Sequence, residues 1–254
     1  MSMNYLSNFI RKLVNKLGVE IRKLPTDNSL FPIEATSEHR KMILNANKYS
    51  MTGVTRMWAL TQAFEYVQAN NVLGDFVECG VWQGGNLILL SSLQASGESE
   101  RMIYGFDTFT GMSIPSEYDQ DMRGVSATVM MSKKTKKDGD HSIHAFASLE
   151  LVNQNLKNND SRNIRLVKGD VATTLLDQSN LPSRISILRL DTDWYESTKI
   201  ELEILYPLLA PGGVLIIDDY GHYAGARKAV DEYFGSNMPW LHYVDYTCRL
   251  VVKK

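Results

Sequence analysis

The sequence predicts an α/β fold built on a mostly parallel sheet with helices on both faces. Three observations support this class. A short apolar strand passes through a glycine-rich turn into a helix over residues 74–93, and several later apolar runs end abruptly in acidic residues. The last two strand-like runs are joined too tightly for a parallel crossover and must be antiparallel. We therefore expect a Rossmann-like, seven-stranded sheet with a C-terminal antiparallel strand.

Length and charge restrict the range of possible proteins. A chain of 254 residues is long for one α/β domain and short for two. We expect one domain over residues 49–254, preceded by an N-terminal helical extension over residues 1–48. With 27 basic and 29 acidic residues, the formal charge of -2 gives no reason to expect nucleic acid as a partner.

The cysteines and the apolar runs indicate where in the cell the protein is expected. Cys79 and Cys248 lie far apart in apolar contexts, which suggests no disulfide framework or metal cluster and fits a cytoplasmic protein. No apolar run approaches the roughly 18 residues that a membrane span requires. We expect no membrane-spanning helix.

A basic amphipathic helix is predicted over residues 6–17. It could associate weakly with an anionic membrane surface, contact another subunit of a homo-oligomer, or pack on its own domain. Two further helices are expected over residues 37–48 and 55–69, the latter capped by Thr52 or Thr55.

The glycine turn at residues 74–86 indicates the ligand. A dinucleotide site needs a glycine two residues after Gly80, where this chain has the bulky Trp82. Glu78, Gly80 and the pair Gly84–Gly85 instead resemble the E/D-x-G-x-x-x-G loop of class I methyltransferases that use S-adenosylmethionine (AdoMet). This donor carries no phosphate, so the loop has only to pass near its amino-acid end.

Further donor-binding residues follow the next two strands of the predicted sheet. Asp107 ends the strand at residues 102–107, where an acid can accept both ribose hydroxyls of a nucleoside. Asp170 and Val171 come just after the strand at residues 164–168 and are placed to meet the adenine ring.

Residues 109–147 show little periodicity and are expected to form an active-site lid. The segment contains a lysine run at residues 133–137, which could hold an anionic group such as a sugar-nucleotide phosphate or could simply be solvated. His141 and His144 close the segment, and either could act as a base if the lid folds inward.

Acidic residues follow two strands that should be neighbours in the sheet. Asp191 ends the strand at residues 184–191, and Asp218 and Asp219 end the strand at residues 214–219. Three carboxylates at one sheet edge predict a hard cation, most simply Mg²⁺, with Asp191 also able to accept a proton. Asp218 and Asp219 could both be ligands only if the strand bends, because successive strand residues face opposite ways.

The segments that connect and follow these strands have simple structural predictions. Asp193 and Glu196 match a capping box ahead of a helix that runs to about residue 209. Residues 211–213, Pro-Gly-Gly, should end that helix. A last helix over residues 224–234 precedes tail strands at 241–246 and 248–252, and His222 should begin this helix.

Three separated motifs together resemble the macrocin O-methyltransferase family of Mg²⁺-dependent sugar methyltransferases. They lie at residues 74–85, 188–198 and 218–221. The resemblance implies a class I methyltransferase fold with AdoMet and Mg²⁺ as cofactors. It implies Asp191, Asp218 and Asp219 as metal ligands, Glu78, Asp107 and Asp170 in the AdoMet pocket, and a lid histidine near the substrate, for which His141 is the nearest match.

The expected reaction is therefore methyl transfer from AdoMet to a hydroxyl of a sugar diol, in a natural-product glycoside, a nucleotide sugar or a surface polysaccharide. A catechol or phenol O-methyltransferase would share the metal chemistry but needs a flat, aromatic-walled pocket. A non-catalytic AdoMet-binding protein would have no use for three acids at adjacent strand ends.

Overall fold

The computed structural model describes residues 30–96 and 100–254. The basic helix expected at residues 6–17 lies outside these ranges. The main compact unit spans Ala35–Lys254, so it includes the helix that the sequence placed in the N-terminal extension. Within the described ranges, no helix is long and apolar enough to cross a membrane.

A seven-stranded sheet forms the centre of this unit, in the order β3-β2-β1-β4-β5-β7-β6. Strands β1 to β5 pair in parallel, whereas β7 is antiparallel to both β5 and β6. The predicted sheet is confirmed. Its strands are β1 Asp75–Cys79, β2 Ile103–Asp107, β3 Ile164–Lys168, β4 Ile185–Leu190, β5 Leu209–Ile217, β6 His242–Tyr243 and β7 Arg249–Val252.

Eight α-helices of the described ranges connect and cover the strands. The helices predicted at 37–48 and 55–69 are present with bounds within two residues of the predicted ones, and the last helix coincides with the predicted residues 224–234. They are α1 Ser37–Ala46, α2 Val54–Ala69, α3 Gly85–Ala95, α4 Ala127–Ser132, α5 Leu149–Asn158, α6 Val171–Thr174, α7 Tyr195–Leu205 and α8 Ala224–Phe234.

The two faces of the central strands differ in character because side chains alternate along a strand. One face carries Val77, Cys79, Leu188 and Leu190, which pack with apolar residues of α7 and α8 into the main core. The opposite face begins with apolar side chains such as Phe76 and ends in polar ones near the carboxyl edge. The sheet therefore leads from a dry interior to a charged edge.

Three local predictions were wrong. The segment 211–213 does not end a helix: α7 stops at Leu205, and β5 runs through these residues from Leu209. Gly53 rather than a threonine stands at the N-cap of α2. Asp193 and Glu196 form no capping box, because the N-cap of α7 is Trp194 and makes no side-chain hydrogen bond.

The segment at residues 109–147 has more structure than its sequence indicated. It contains α4 and two isolated β-bridges, Gln120–Ser126 and Asp121–Tyr223. Asp119 is buried, and its carboxylate accepts a hydrogen bond of 2.8 Å from the backbone N–H of Tyr195, at the start of α7. The first half of this segment is thus anchored to the helices beside the sheet edge.

Gly80, which follows β1, provides a test of the fold at this edge. A Cβ atom at Gly80 would lie 1.9 Å from the carbonyl oxygen of Asp191, and the residue has a φ of +86°. Gly53 has a similar φ of +81° but open space around it.

We expect Gly80→Ala to lower the free energy of unfolding by roughly 1–2 kcal/mol of backbone strain plus roughly 1–3 kcal/mol of overpacking. Gly53→Ala should show the strain contribution alone. Urea unfolding of both variants measures the difference. Equal losses would show that the approach of Gly80 to Asp191 does not limit the packing of β1 on β4.

Candidate active site

A cavity of about 650 Å³ opens at the carboxyl edge of the parallel strands. Its walls come from the glycine turn after β1, the ends of β2, β4 and β5, and the segment at residues 109–147. The carboxylates of the wall are those of Asp107, Asp170, Asp191, Asp193, Asp218 and Asp219.

The predicted donor-binding residues divide into two groups. Gly80, Asp107, Asp170 and Val171 line the cavity, as a ligand site requires. Glu78 does not, because its side chain is buried under the glycine turn. The pair Gly84–Gly85 does not line the cavity either.

Packing accounts for Gly84 and Gly85 without a ligand. A Cβ atom on Gly85 would lie 2.6 Å from the Cβ atom of Ser50 and 2.7 Å from the carbonyl oxygen of Ala46, so a glycine lets α1 approach α3 closely. Gly84 precedes α3 in the left-handed conformation, with a φ of 92°.

Asp107 stabilises the glycine turn directly. Its carboxylate accepts hydrogen bonds from the backbone N–H groups of Val81 at 2.8 Å, Trp82 at 3.1 Å and Phe109 at 2.7 Å. Burial raises the pKa of Asp107, while these hydrogen bonds oppose the rise. The residue thus shapes the turn as well as lining the cavity.

Arg189 is the centre of a buried polar network on the sheet face opposite the main core. In register, Arg189 lies beside Glu78 of β1, and its guanidinium donates to the Glu78 carboxylate at 2.7 Å. It also donates to Asp191 at 2.6 Å, to Asp218 at 2.6 Å and to the hydroxyl of Thr52 at 3.0 Å. These contacts hold the ends of three neighbouring strands together.

The charges of this network are unbalanced. Burial alone would lower the pKa of Arg189. The carboxylates of Asp191, Asp218 and Glu78 more than offset this effect, and the pKa of Arg189 lies well above its usual value. Burial raises the pKa of Glu78 to about 7, and Arg189 opposes that rise. A single guanidinium therefore cannot keep every nearby carboxyl group at its usual acidity.

Asp218, one of the three metal ligands that the sequence predicts, is bound by two arginines. One carboxylate oxygen accepts from Arg189, and the other accepts from Arg56 of α2. Asp218 and Asp219 follow β5, which ends at Ile217, in a bent segment of the chain. Asp218 contacts this arginine network, whereas Asp219 lies beside Asp191 and Asp193.

Asp193, rather than Asp218, lies beside Asp191 and Asp219. Ligand oxygens of Asp191, Asp193 and Asp219 lie within 4.8 Å of one another at the cavity wall. Asp193 adopts a left-handed conformation with a φ of 65°, which aspartate tolerates better than most residues. This turn directs its carboxylate towards Asp219.

The three carboxylates crowd one another. Burial raises the pKa of Asp193 to about 7, and the charges of Asp191 and Asp218 add to the rise. Burial, and after it the charges of Asp193, Asp191 and Asp218, raise the pKa of Asp219 well above its usual value. One oxygen of Asp219, Oδ2, is buried without a hydrogen-bond partner in the described chain.

Two histidines lie at different parts of the cavity. His141 lines it and contacts the edge of Trp82 in the glycine turn, with ring centroids 4.6 Å apart. His222 also lines it and precedes α8 rather than beginning it; its backbone N–H donates to the carbonyl of Asp219. Burial lowers the pKa of His222. The predicted base, His141, thus contacts the glycine turn, whereas His222 lies a few residues after Asp218 and Asp219.

Sequence reasoning missed several polar residues that shape the site. Arg189 was counted as part of an apolar strand, although a charged residue within a buried strand signals a paired charge. Glu201 is fully buried on α7, and its carboxyl group holds the hydroxyl of Thr192, between Asp191 and Asp193, at 2.9 Å. The position of Glu201 within a predicted helix does not by itself indicate that its side chain is buried.

Together, the sheet order, the antiparallel β7 and the cavity at the carboxyl edge define a class I methyltransferase that uses AdoMet. The fold of CalS11, a calicheamicin methyltransferase, agrees: its structure superimposes with a TM-score of 0.61 over 92% of this chain and 99% of that chain, at 17% identity.

The chain belongs to the macrocin O-methyltransferase (TylF) family, whose model matches residues 27–248. It is an AdoMet-dependent O-methyltransferase. The chain is 35% identical to demethyldecarbamoylnovobiocin O-methyltransferase of Streptomyces niveus over 192 residues, which cover 74% of this chain and 68% of that protein.

Two further comparisons agree with this assignment. A Streptomyces olivaceus enzyme, 8-demethyl-8-(2,3-dimethoxy-alpha-L-rhamnosyl)-tetracenomycin-C 4'-O-methyltransferase, is 35% identical over 190 residues, or 74% of this chain and 68% of that protein. The structure of the O-methyltransferase NovP superimposes with a TM-score of 0.69 at 30% identity, covering 81% of this chain and 82% of that chain.

Arg189 offers a test of the buried network. We expect Arg189→Met to lower the free energy of unfolding by about 3–5 kcal/mol, because it leaves buried carboxylates without their cation. Lys228→Met removes an ion pair with Glu232 in which both side chains are exposed, 36% and 50%, and should cost less than about 1 kcal/mol. Urea unfolding measures both. If the two losses match, the network does not hold the strand ends together.

Proposed function

We propose that this enzyme transfers the methyl group of AdoMet to a hydroxyl of a sugar diol, with Mg²⁺ bound by Asp191, Asp193 and Asp219. The observation that carries this proposal is the grouping of these carboxylates on the wall of the same cavity as Gly80, Asp107 and Asp170. A donor site and a cation site in one cavity suit metal-assisted O-methylation.

The residues present fit a magnesium ion. Carboxylate oxygens are hard ligands, and Mg²⁺ usually combines a few of them with water and substrate oxygens. The unpartnered oxygen of Asp219 and the raised pKa of Asp193 both indicate carboxylates that lack a counter-charge. When bound, the ion would orient two acceptor oxygens and lower the pKa of the hydroxyl to be methylated.

The protein's own residues would perform the proton transfer and the positioning. Arg189 binds the Oδ2 atom of Asp191 at 2.6 Å and fixes the orientation of that carboxylate. The other carboxylate oxygen of Asp191, Oδ1, can accept the proton of the acceptor hydroxyl as the new O–CH₃ bond forms and the sulfur–methyl bond of AdoMet breaks. Asp107 and the glycine turn hold the donor side of the cavity in place.

The sugar acceptor is supported by family membership and by the name of a relative. The name of the Streptomyces olivaceus enzyme specifies a rhamnosyl group on its substrate. Near the carboxylates, the wall also offers His222, the hydroxyl of Tyr223 and Ser197, groups that can form hydrogen bonds with hydroxyls.

A direct test measures methyl transfer from labelled AdoMet to deoxysugar glycosides, sugar nucleotides and catechols, with Mg²⁺ or with EDTA. The proposal requires sugar methylation that EDTA abolishes. Preferential methylation of catechols would favour a phenol methyltransferase, and AdoMet binding without any turnover would favour a non-catalytic protein.

The cytoplasmic location and the homo-oligomer predicted from the sequence remain predictions. Cys79 and Cys248 are free and buried, as a reducing compartment allows. Gel filtration with light scattering would determine the number of subunits.

Asp219 tests the cation site. We expect Asp219→Asn to weaken Mg²⁺ binding and to lower kcat by about 100-fold or more, because a buried charged ligand is lost, while AdoMet affinity changes little. Asp231→Asn removes an exposed carboxylate from α8 and serves as the control. Calorimetric Mg²⁺ titration and steady-state kinetics measure both effects. Unchanged Mg²⁺ affinity in Asp219→Asn would contradict the ligand assignment.

The pKa of Asp193 predicts opposite pH effects on the metal-free and metal-bound protein. Because the folded-state pKa of about 7 exceeds the usual 3.8, protonation favours the fold. This contribution to stability is full below the usual pKa and is lost as pH rises through about 7. The metal-free protein should therefore be less stable at pH 8 than at pH 6 as far as this group is concerned.

Mg²⁺ must displace the same proton, so its affinity should fall by up to about tenfold per pH unit below pH 7. Thermal unfolding at pH 6 and pH 8, with and without Mg²⁺, measures the predicted loss of stability at high pH. Mg²⁺ titrations at the same pH values measure the predicted loss of Mg²⁺ affinity at low pH. In Asp193→Asn, both pH dependences should become smaller. Persistence of the full dependence in this variant would place the titrating group elsewhere.

A further inference from the structure

Two lysines of the segment at residues 109–147 lie on the wall of the catalytic cavity. Lys133 and Lys134 follow α4 directly and line the cavity together with Met130 of that helix. Lys136 and Lys137, from the same run, do not line it. The side chain of Lys136 is instead directed to Phe146, with its amine 5.2 Å from the ring centroid. The lysine run is therefore split between the cavity and the outer surface.

The backbone of Lys133 and Lys134 is held in place. Their N–H groups donate to the carbonyls of Met130 and Met131 at 3.3 and 3.2 Å, which closes the end of α4. His144 holds the carbonyl of Lys134 through its ring nitrogen Nε2 at 2.9 Å. These contacts make the approach of the two lysines to the cavity a feature of the fold.

Helix α4, which precedes the two lysines, packs beside residues next to the proposed cation site. Its residues Ala127, Met130 and Met131 pack in one apolar cluster with Trp194 and Tyr223. Trp194 directly follows Asp193, and the backbone N–H of Tyr223 donates to the carbonyl of Asp219 at 3.0 Å. The lysines thus extend from the helix that packs beside the carboxylates.

Neither lysine has an acidic partner. Within residues 30–96 and 100–254, no carboxylate oxygen lies within 4 Å of the amine of Lys133 or Lys134. The cavity thus combines an acidic end, where a cation would bind, with two uncompensated ammonium groups. An acceptor with a diol at one end and a negative group at the other would complement both ends.

We propose that Lys133 and Lys134 bind a phosphate group of the acceptor, so that the enzyme methylates a sugar phosphate or a nucleotide-linked sugar rather than a neutral glycoside. This inference rests on the proposed sugar methylation. Lysine ammonium groups bind phosphate oxygens as point charges, and AdoMet itself carries no phosphate that could occupy them.

Matched acceptors test the proposal and separate its two sources of phosphate. For each of several 6-deoxyhexoses, the methyl glycoside, the 1-phosphate and the nucleoside diphosphate ester are compared at fixed AdoMet and Mg²⁺. We expect at least one phosphorylated form to exceed its methyl glycoside in kcat/KM by about tenfold or more. A preference for the diphosphate ester identifies the nucleotide-linked sugar.

Lysine variants locate the effect. In Lys133→Gln/Lys134→Gln, the advantage of the phosphorylated acceptor should fall by about tenfold, mainly through KM, with the KM for AdoMet unchanged. Lys136→Gln/Lys137→Gln removes the same charge from the same run and should change neither KM by more than about twofold. A raised KM for AdoMet in the first variant would assign the lysines to the donor and overturn the proposal.

Pyrophosphate binding makes the proposal testable apart from turnover. Inorganic pyrophosphate is titrated by calorimetry into protein saturated with S-adenosylhomocysteine, without Mg²⁺. Binding that is lost only in Lys133→Gln/Lys134→Gln supports the phosphate site even if no sugar is methylated, an outcome that would refute the proposed function alone. Equal methylation of glycosides and phosphates, or pyrophosphate binding unaffected by the variant, would refute the phosphate site alone.

Discussion

One buried guanidinium determines the arrangement of the site. Arg189 has almost no exposed surface, and it binds carboxylates from the ends of β1, β4 and β5 together with the hydroxyl of Thr52. A buried charge is stable only when it is paired and hydrogen-bonded, so the positions of these strand ends depend on each other. The glycine turn, the proposed base and the acidic pair are thereby held in one geometry.

The two acids that follow β5 make different contacts. Asp218 and Asp219 are adjacent in sequence, but Asp218 joins the arginine network and Asp219 joins the carboxylates of Asp191 and Asp193 that we propose as the cation site. The network accounts for the charge of Asp218 with Arg189 and Arg56. Asp219 has no arginine partner among the described residues, and its Oδ2 atom is one of several buried polar atoms that have no hydrogen-bond partner there.

The strands, the mostly parallel character of the sheet and most helices could be predicted because apolar periodicity and strand-end acids are local signals. The different contacts of Asp193 and Asp218 could not be predicted, since they depend on the left-handed turn at Asp193 and on Arg56, which reaches Asp218 from α2. Gly85 is similar: its motif position suggested a ligand contact, but its neighbours are Ser50 and Ala46, more than thirty residues away in sequence.

The anchoring of the segment at residues 109–147 has a consequence for how such an enzyme can diversify. Its first half is tied to α7 by Asp119 and to the residue before α8 by the bridge at Asp121, whereas the stretch after α4 supplies cavity residues from Lys133 to Ala145. Substitutions at Lys133 and Lys134 in that later stretch would change the proposed acceptor contacts and leave Asp107, Asp170 and the acidic group unchanged. A gene duplicate could thus acquire a new acceptor by changing a short, contiguous piece of its coding sequence.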